Sequence, residues 1–496
     1  MAHARKKILL VYPGVFDSPF PELPMPLLYL SWALKKHGYI VDILDTRLTD
    51  FRSVTDLSPY LFAGISTMTG SMITHALPFA SHARALAPAL PLVWGGIHPT
   101  LLTEETLADT HVDIIVRGEG ETTVCELADA LSSGASLDTI AGVSFKRGGE
   151  MIHNPERPFL DMNTFDPELP YELFDLKRYT VSPFPVHTSR GCPHRCGFCY
   201  NMAFNHRRWR SKNAARTLDE IAYIVKRFNP AHICFTWEDE FFINVPRVRE
   251  IAEGLLSRSI TVSWESFCRF DSFTRVDDEA LKVMERSGLR LLSFGGESGS
   301  ERMLDTVICK DIKLDQVREA TRRLSRTSIR QVISFMSGLP GETDEDMSKT
   351  FSFMDELATI NGTIYFNGVF LYTPYPGTPL FERIVREYGY RPPTSFSAWG
   401  NFGIYRDVGA TWYKPRYLKK YRAVSILTRF PFWKKEFALS DVKRGIVPER
   451  FARFPLNLVY FFYTRMAMFR WKHRWFRFAF EWSLLERMLA RVRGFV

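Results

Sequence analysis

Cysteine is scarce in this chain, with seven among 496 residues. That excludes a disulfide scaffold and points to a reducing cytoplasm. No secretory leader is legible: Met1-Ala2-His3-Ala4-Arg5-Lys6-Lys7 runs straight into Ile8 to Tyr12, an apolar run of strand length. The longest uncharged run of the C-terminal region, Phe454 to Thr464, falls well short of the roughly twenty residues that cross a bilayer. A protein-wide basic field is missing as well. The formal charge is +9, but residues 451–496 carry nine Arg and Lys against two Glu, which is +7 of it. No nucleic-acid partner is therefore expected, and no recognised RNA-binding module is present. With 46% hydrophobic and 24% charged residues, long disorder is not expected either. The length has room for about three domains.

What is present is concentrated in Thr188-Ser189-Arg190-Gly191-Cys192-Pro193-His194-Arg195-Cys196-Gly197-Phe198-Cys199-Tyr200-Asn201. Three of the seven cysteines fall here, at the spacing C-x3-C-x2-C. Thiolates favour soft metals. Gly191, Pro193 and Gly197 bend the backbone so that Cys192, Cys196 and Cys199 can converge on one inorganic cluster. Structural zinc wants a second paired half, and none lies nearby. His194, inside so tight a loop, reads as facing solvent. The segment resembles the signature of the radical S-adenosylmethionine superfamily. That resemblance implies a 4Fe-4S cluster held by the three cysteines, with a fourth iron left open for S-adenosylmethionine.

Residues 1–150 alternate strand and helix. Ile8–Tyr12, Tyr39–Leu44, Leu61–Ser66, Leu92–Trp94 and Val112–Val116 read as strands, with helices over Pro26–His37 and Thr74–Leu86. This predicts a Rossmann-like, doubly wound parallel sheet with its ligand at the strands' carboxyl ends. One Gly-Gly after a strand is usually a plain turn. Three such turns together are more informative: Ser66-Thr67-Met68-Thr69-Gly70, Trp94-Gly95-Gly96-Ile97-His98-Pro99 and Arg117-Gly118-Glu119-Gly120-Glu121. As a set they resemble the cobalamin-binding domain that precedes many radical S-adenosylmethionine domains, over nearly all of residues 5–130. The resemblance implies cobalamin contacts from Ser66, Thr67, Thr69, Gly70, Gly95, Gly96, His98 and Gly118. His98 reads equally well as a cap of the following turn. Glu119 and Glu121 read as partners of backbone amides or of a domain interface. The chain departs from the cobalamin mutases in its first loop, where their Asp-x-His-x-x-Gly is replaced by Pro13-Gly14-Val15-Phe16-Asp17-Ser18-Pro19. No imidazole is offered to cobalt there, so a domain that has lost the cofactor stays open.

A Pro- and Asp-rich crossing over residues 151–182 reads as a linker. Six β/α units follow over residues 183–395, with strands at Val186–Ser189, His232–Thr236, Thr261–Phe267, Leu291–Phe294, Val332–Met336 and Tyr365–Tyr372. Every polar or glycine-rich cluster comes directly after a strand, which predicts a partial (β/α)6 barrel with its chemistry at that end. By resemblance, the backbone near Tyr200 would meet adenine, and Glu297, Ser298, Gly338 and Pro340 would line S-adenosylmethionine. Arg269 would pair with the methionyl carboxylate. From the residues alone, Arg269 reads as well as a surface ion pair. Glu238-Asp239 reads as a ribose partner or as a cap for the helix beginning near Val245. Cys125, Cys234, Cys268 and Cys309 are isolated and read as buried thiols, with Cys309 near a substrate mouth.

Residues 396–496 read as mainly helical. Trp471, Trp475, Phe478, Trp482, Leu485 and Leu489 share one helical face, flanked by Arg470, Lys472, Arg474 and Arg477. Such a face lies in a membrane interface as a peripheral contact, or packs over the barrel mouth.

The resemblance as a whole implies an α/β enzyme with three cofactors: the 4Fe-4S cluster, S-adenosylmethionine and cobalamin. A reductant such as flavodoxin or ferredoxin would supply electrons. The implied reaction is methylation of an unactivated carbon through a 5′-deoxyadenosyl radical, on an apolar small molecule such as a lipid or tetrapyrrole. Oxidative cyclisation with the same cofactors is not separated from it by any residue; a radical enzyme with a vestigial cobalamin domain and a non-catalytic iron-sulfur membrane adaptor are the other readings. A methylthiotransferase would carry a second upstream cysteine set, whereas Cys125 stands alone there.

Overall fold

Two parallel sheets are laid down in succession, each from apolar runs separated by amphipathic helices. The computed structural model describes residues 7–424, apart from 17, 19, 20, 237, 404–407, 415, 416, 419 and 422, together with residues 454–476. The first sheet contains β1 (Lys7–Tyr12), β2 (Ile40–Asp45), β3 (Tyr60–Ser66), β4 (Leu92–Gly95), β5 (Ile114–Val116), β6 (Val143–Arg147) and β7 (Glu150–His153). Their spatial order is β2-β1-β3-β4-β5-β6-β7. β1 to β5 are parallel, and Ile8, Leu9, Leu10 and Val11 of β1 are all buried. Burial on both faces is why that strand reads as an unbroken apolar run. The order reverses between β1 and β3, where doubly wound sheets open a crevice at their carboxyl ends. β6 and β7 add an antiparallel hairpin around Gly148-Gly149. Neither strand is among those read from the sequence, and β7 lies across the 150/151 division.

The second sheet needs five further strands and one short one: β8 (Phe184–Pro185), β11 (His232–Cys234), β12 (Ser263–Phe267), β13 (Leu289–Glu297), β14 (Arg330–Ser337) and β15 (Tyr365–Leu371). They lie in the order β15-β14-β13-β12-β11-β8, and every neighbouring pair is parallel. This is the expected partial barrel of six β/α units. Its first strand is displaced from the expected Val186–Ser189. Pairing stops at Pro185, and Ser189–Arg190 instead forms β9, antiparallel to β10 (Arg210–Ser211). The cysteine loop is therefore the connection between β9 and β10.

Two C-terminal pieces pack on this frame. The short helix Phe396–Trp399 sets Phe396 5.1 Å from the Trp94 ring of β4. The helix Phe454–Lys472 places Trp471 5.1 Å from Phe351, and its indole donates to Asp355 at 2.7 Å. Both partners belong to the helix Asp344–Ile360 that flanks β14, so Trp471 packs on the outer ring and not over the barrel mouth. Arg477, Phe478, Trp482, Leu485 and Leu489 lie outside the described residues. No helix among the described residues is long and apolar enough to cross a membrane.

Candidate active site

The cysteine loop is held by the acidic turn that follows β11. Asp239 accepts hydrogen bonds from the Gly191 amide (2.8 Å), the Tyr200 hydroxyl (2.7 Å) and the Asn201 side-chain amide (2.7 Å). One carboxylate thus closes both ends of the loop that carries the three cysteines. Glu238 accepts from the Thr188 amide and hydroxyl at 2.6 and 2.7 Å, and from the Ser189 hydroxyl. Burial pushes Glu238 up to about 7, against the pull of Arg247 and these donors. The loop's apex is tied as well, since the Gly197 amide donates to the Ile308 carbonyl at 2.7 Å. Gly191 is left-handed (φ +82), and a Cβ there would fall 2.0 Å from the Arg208 carbonyl oxygen, so the position requires glycine. The helix Val245–Ser257 is capped by Asn244. The acidic turn is instead a brace for the cysteine loop.

Cys196 is buried, and Cys192 and Cys199 are half-buried. Burial pushes Cys192 up to about 12 and Cys199 up to about 11, so these thiols need a bound cation to ionise. No three His, Cys, Asp or Glu side chains among the described residues are placed to share one metal ion. The chemistry of the donors is the test that remains: three free cysteines on one braced loop are the soft donors that an iron-sulfur cluster takes, one to an iron. The donor set fits. His194 is turned inward, with Nδ1 3.7 Å from Asp271 and Nε2 buried without a hydrogen-bond partner. It does not face solvent as the tight loop suggests.

Beside the loop, Arg269 directs Nη1 to the Cys196 sulfur at 3.3 Å, Nε to Asp271 at 2.9 Å and Nη2 to the Lys310 carbonyl at 2.5 Å. The guanidinium expected to meet a methionyl carboxylate is turned onto the cysteine loop. Lys310 in turn donates to Glu297 at 2.6 Å. Ser298 points elsewhere, to the Thr350 hydroxyl at 3.2 Å. At the end of β14, the Gly338 amide donates to Glu342 at 2.6 Å, while its carbonyl accepts from the Trp412 indole at 2.7 Å. Pro340 is buried in the same turn. Burial pushes Glu342 up to about 8, and its second oxygen has no partner.

The cobalamin-like loops come together at the carboxyl ends of β3, β4 and β5. Ser66 and Gly95 are paired in register. The Thr67 amide donates to the Gly95 carbonyl at 2.9 Å, and the Gly118 amide to the Thr100 hydroxyl at 3.0 Å. Gly70 and Gly96 are left-handed; a Cβ would fall 2.7 Å from the Phe402 carbonyl oxygen and 2.5 Å from that of Thr67, respectively. His98 does not cap the next turn. Its Nδ1 lies 2.9 Å from the Thr69 hydroxyl, and its ring sits between Phe396 and Trp399. Burial pushes it down to about 4, which keeps it neutral. The Thr67 hydroxyl and His98 Nε2 are buried without partners. Val15, Phe16 and Met68 stand half-exposed after β1 and β3, at the switch point of the sheet. Unpaired polar atoms, backbone cradles and an apolar surface fit a large, flat, amide-rimmed ligand.

Both halves match family models: the B12 binding domain over residues 15–128, and the Radical SAM superfamily over residues 186–354. An uncharacterized methyltransferase of Pyrococcus horikoshii is 30% identical over 392 residues, 76% of this chain and 82% of that protein. The chain belongs to the cobalamin-dependent radical S-adenosylmethionine methyltransferase family. It is an enzyme, and its cofactors are a 4Fe-4S cluster, S-adenosylmethionine and cobalamin. The anaerobic magnesium-protoporphyrin IX monomethyl ester cyclase of Cereibacter sphaeroides is 28% identical over 73% of the chain and 60% of its own length. In fold, the methyltransferase is similar to the cobalamin-dependent radical enzyme OxsB, with a TM-score of 0.72 at 19% identity. That match covers 98% of this chain and 75% of the other.

Several residues of this radical methyltransferase carry no legible signal in its sequence. The acidic turn after β11 is visible, but not its partner loop 50 residues earlier. Lys310 and Asp271 are unremarkable in sequence and become important only through Arg269. The two acids set aside as interface candidates, Glu119 and Glu121, do sit at an interface, where both accept from Arg190.

Proposed function

We propose that this enzyme methylates an unactivated carbon of a large, apolar small molecule. The observation that carries this reading is the meeting of the two strand-end surfaces. Leu101, on the short helix after β4, and Ala203, on the helix after the cysteine loop, both lie against Gly377 beyond β15. The cobalamin-side loops thus abut the cysteine-loop side, as a methyl donor and a radical source must.

In this reading Cys192, Cys196 and Cys199 hold the cluster. The backbone at Tyr200, with Glu297, Ser298, Gly338 and Pro340, lines S-adenosylmethionine, and Arg269 stands on its cluster side. Ser66, Thr67, Thr69, Gly70, Gly95, Gly96, His98 and Gly118 line cobalamin. When bound, these groups supply a 5′-deoxyadenosyl radical and a transferable methyl group. The chain's own residues position and exclude water. Asp239 and Glu238 fix the cysteine loop, and Phe396, Trp399 and Phe402 wall the cobalamin side from solvent. Aromatic rings around the Gly338 turn, with Tyr372 5.8 Å from Trp412 and Tyr413 5.3 Å from Tyr421, favour an apolar substrate. The tetrapyrrole substrate in the cyclase relative's name agrees with that class. A protein reductant such as flavodoxin or ferredoxin completes the reaction in the cytoplasm. Half-exposed Phe469 and Trp475 beside Lys472 support peripheral contact with a membrane that holds such a substrate.

The test is turnover of the reconstituted enzyme with methyl-labelled S-adenosylmethionine and candidate lipids and tetrapyrroles. Label in product, with 5′-deoxyadenosine formed alongside, is the expected result. Deoxyadenosine with an unlabelled, cyclised product would establish the cyclase reading instead. No cleavage of S-adenosylmethionine would sink both.

A further inference from the structure

Arg269 follows β12 and precedes the short helix Phe270–Phe273. It is buried, and all three of its guanidinium nitrogens have partners. Asp271 and the Lys310 carbonyl fix the fork, and Lys310 is itself fixed by Glu297. The remaining nitrogen, Nη1, has the Cys196 sulfur as its partner at 3.3 Å. Cys196 is also the most buried of the three loop cysteines, so water neither competes for this contact nor screens its charge. A cation that donates a hydrogen bond to a cluster-bearing thiolate draws electron density from the sulfur. That favours the more negative, reduced state of the cluster and raises its reduction potential.

We propose that Arg269 is a positioning residue that sets the reduction potential of the iron-sulfur cluster through its hydrogen bond to Cys196. The inference rests on the reading of Cys196 as a cluster ligand. The step it governs is balanced by one electron: a low-potential protein donor is oxidised by one electron and the cluster is reduced by one. No bond breaks and no proton is needed, because the guanidinium already supplies the compensating charge. Asp271 and Lys310 act through Arg269, by holding its fork in place.

The experiment compares the parent protein with Arg269→Lys and Arg269→Gln, all reconstituted anaerobically with iron and sulfide and kept free of S-adenosylmethionine. Iron and sulfide content is measured first, and then the potential by redox titration followed by electron paramagnetic resonance. The expected result is full cluster content with a lower potential in both variants, and the larger fall in Arg269→Gln. The reduced-to-oxidised ratio at a fixed ambient potential should drop about tenfold, which is about 59 mV for a one-electron couple. An unchanged potential in a fully loaded variant overturns the proposal. A second measurement needs no substitution: parent protein labelled with 15N in its arginine guanidinium groups should show a nitrogen coupling to the reduced cluster. If the variants hold no cluster, that coupling decides, and its absence overturns the role of Arg269. A parent protein without a reducible cluster would overturn the ligand reading itself, which is a different failure.

Discussion

Arg190 and Glu119 meet across the two halves of the chain, Nη1 to Oε1 at 3.0 Å. Glu119 follows Gly118 after β5, and Arg190 stands two residues before Cys192. The second nitrogen of the fork reaches Glu121 at 2.6 Å, and Arg210 adds a contact to Glu119 at 2.8 Å. The arginine also lies over the Tyr29 ring at 5.1 Å. A loop of the cobalamin side is thereby registered against the loop of the cluster side by charges that are almost wholly buried.

Removing Arg190 should therefore be costly. Arg190→Ala leaves two buried carboxylates short of a cation, a loss of about 3–5 kcal/mol, read as a lower urea midpoint. The sign with pH follows. Burial raises Glu119, but Arg190 and Arg210 outweigh it and hold the carboxyl below its ordinary 4.5. Its contribution is present above that value and is lost as pH falls through the lower folded one. Melting curves should show the parent losing more stability on acidification than Arg190→Ala; parallel curves would count against the pair.

Asp239→Ala removes the acceptor for three donors at the two ends of the cysteine loop. At about 1.5–3 kcal/mol for each charged hydrogen bond, the loop should no longer be held closed. Iron and sulfide content after reconstitution should fall severalfold while the fold persists by circular dichroism. Parent-like content would show that the loop closes without this brace.

Gly96→Ala places a Cβ 2.5 Å from the Thr67 carbonyl oxygen, at a left-handed φ of +99. The backbone cradle at the end of β4 must shift. Corrinoid absorbance after reconstitution should be lost, with the iron-sulfur absorbance kept, because the cysteine loop is braced independently. Full corrinoid retention would move the cobalamin site elsewhere.

Glu342 titrates in the opposite sense to Glu119. Burial raises its folded value from 4.5 to about 8, so the stability tied to its protonation is complete below 4.5 and is lost as pH rises toward about 8. Glu238 and Glu240, each raised to about 7 by burial, add to the same slope. Glu342→Gln should flatten part of that decline by at least about 1 kcal/mol, at 1.36 kcal/mol per unit. Thermal unfolding across this range checks it, and an unaltered slope would refute the assignment.

The alternation of strands and helices, the parallel order and the cysteine triplet are all properties of local pattern and short spacing, and these the sequence determines by itself. Apolar runs such as Ile8–Val11 can only be satisfied by burial on both faces, and three thiols in eight residues can only be gathered by one loop. Tertiary structure alone decides what each polar side chain meets. Arg269 turns to Cys196 because Asp271 and Lys310 fix its fork. Asp239 reaches a loop far behind it in the chain. Ser189 leaves the barrel strand to pair with Ser211. Hydrogen bonds and ion pairs are set by distance in space, and burial makes their omission expensive. The same residues, read in order along the chain, carry no record of that geometry.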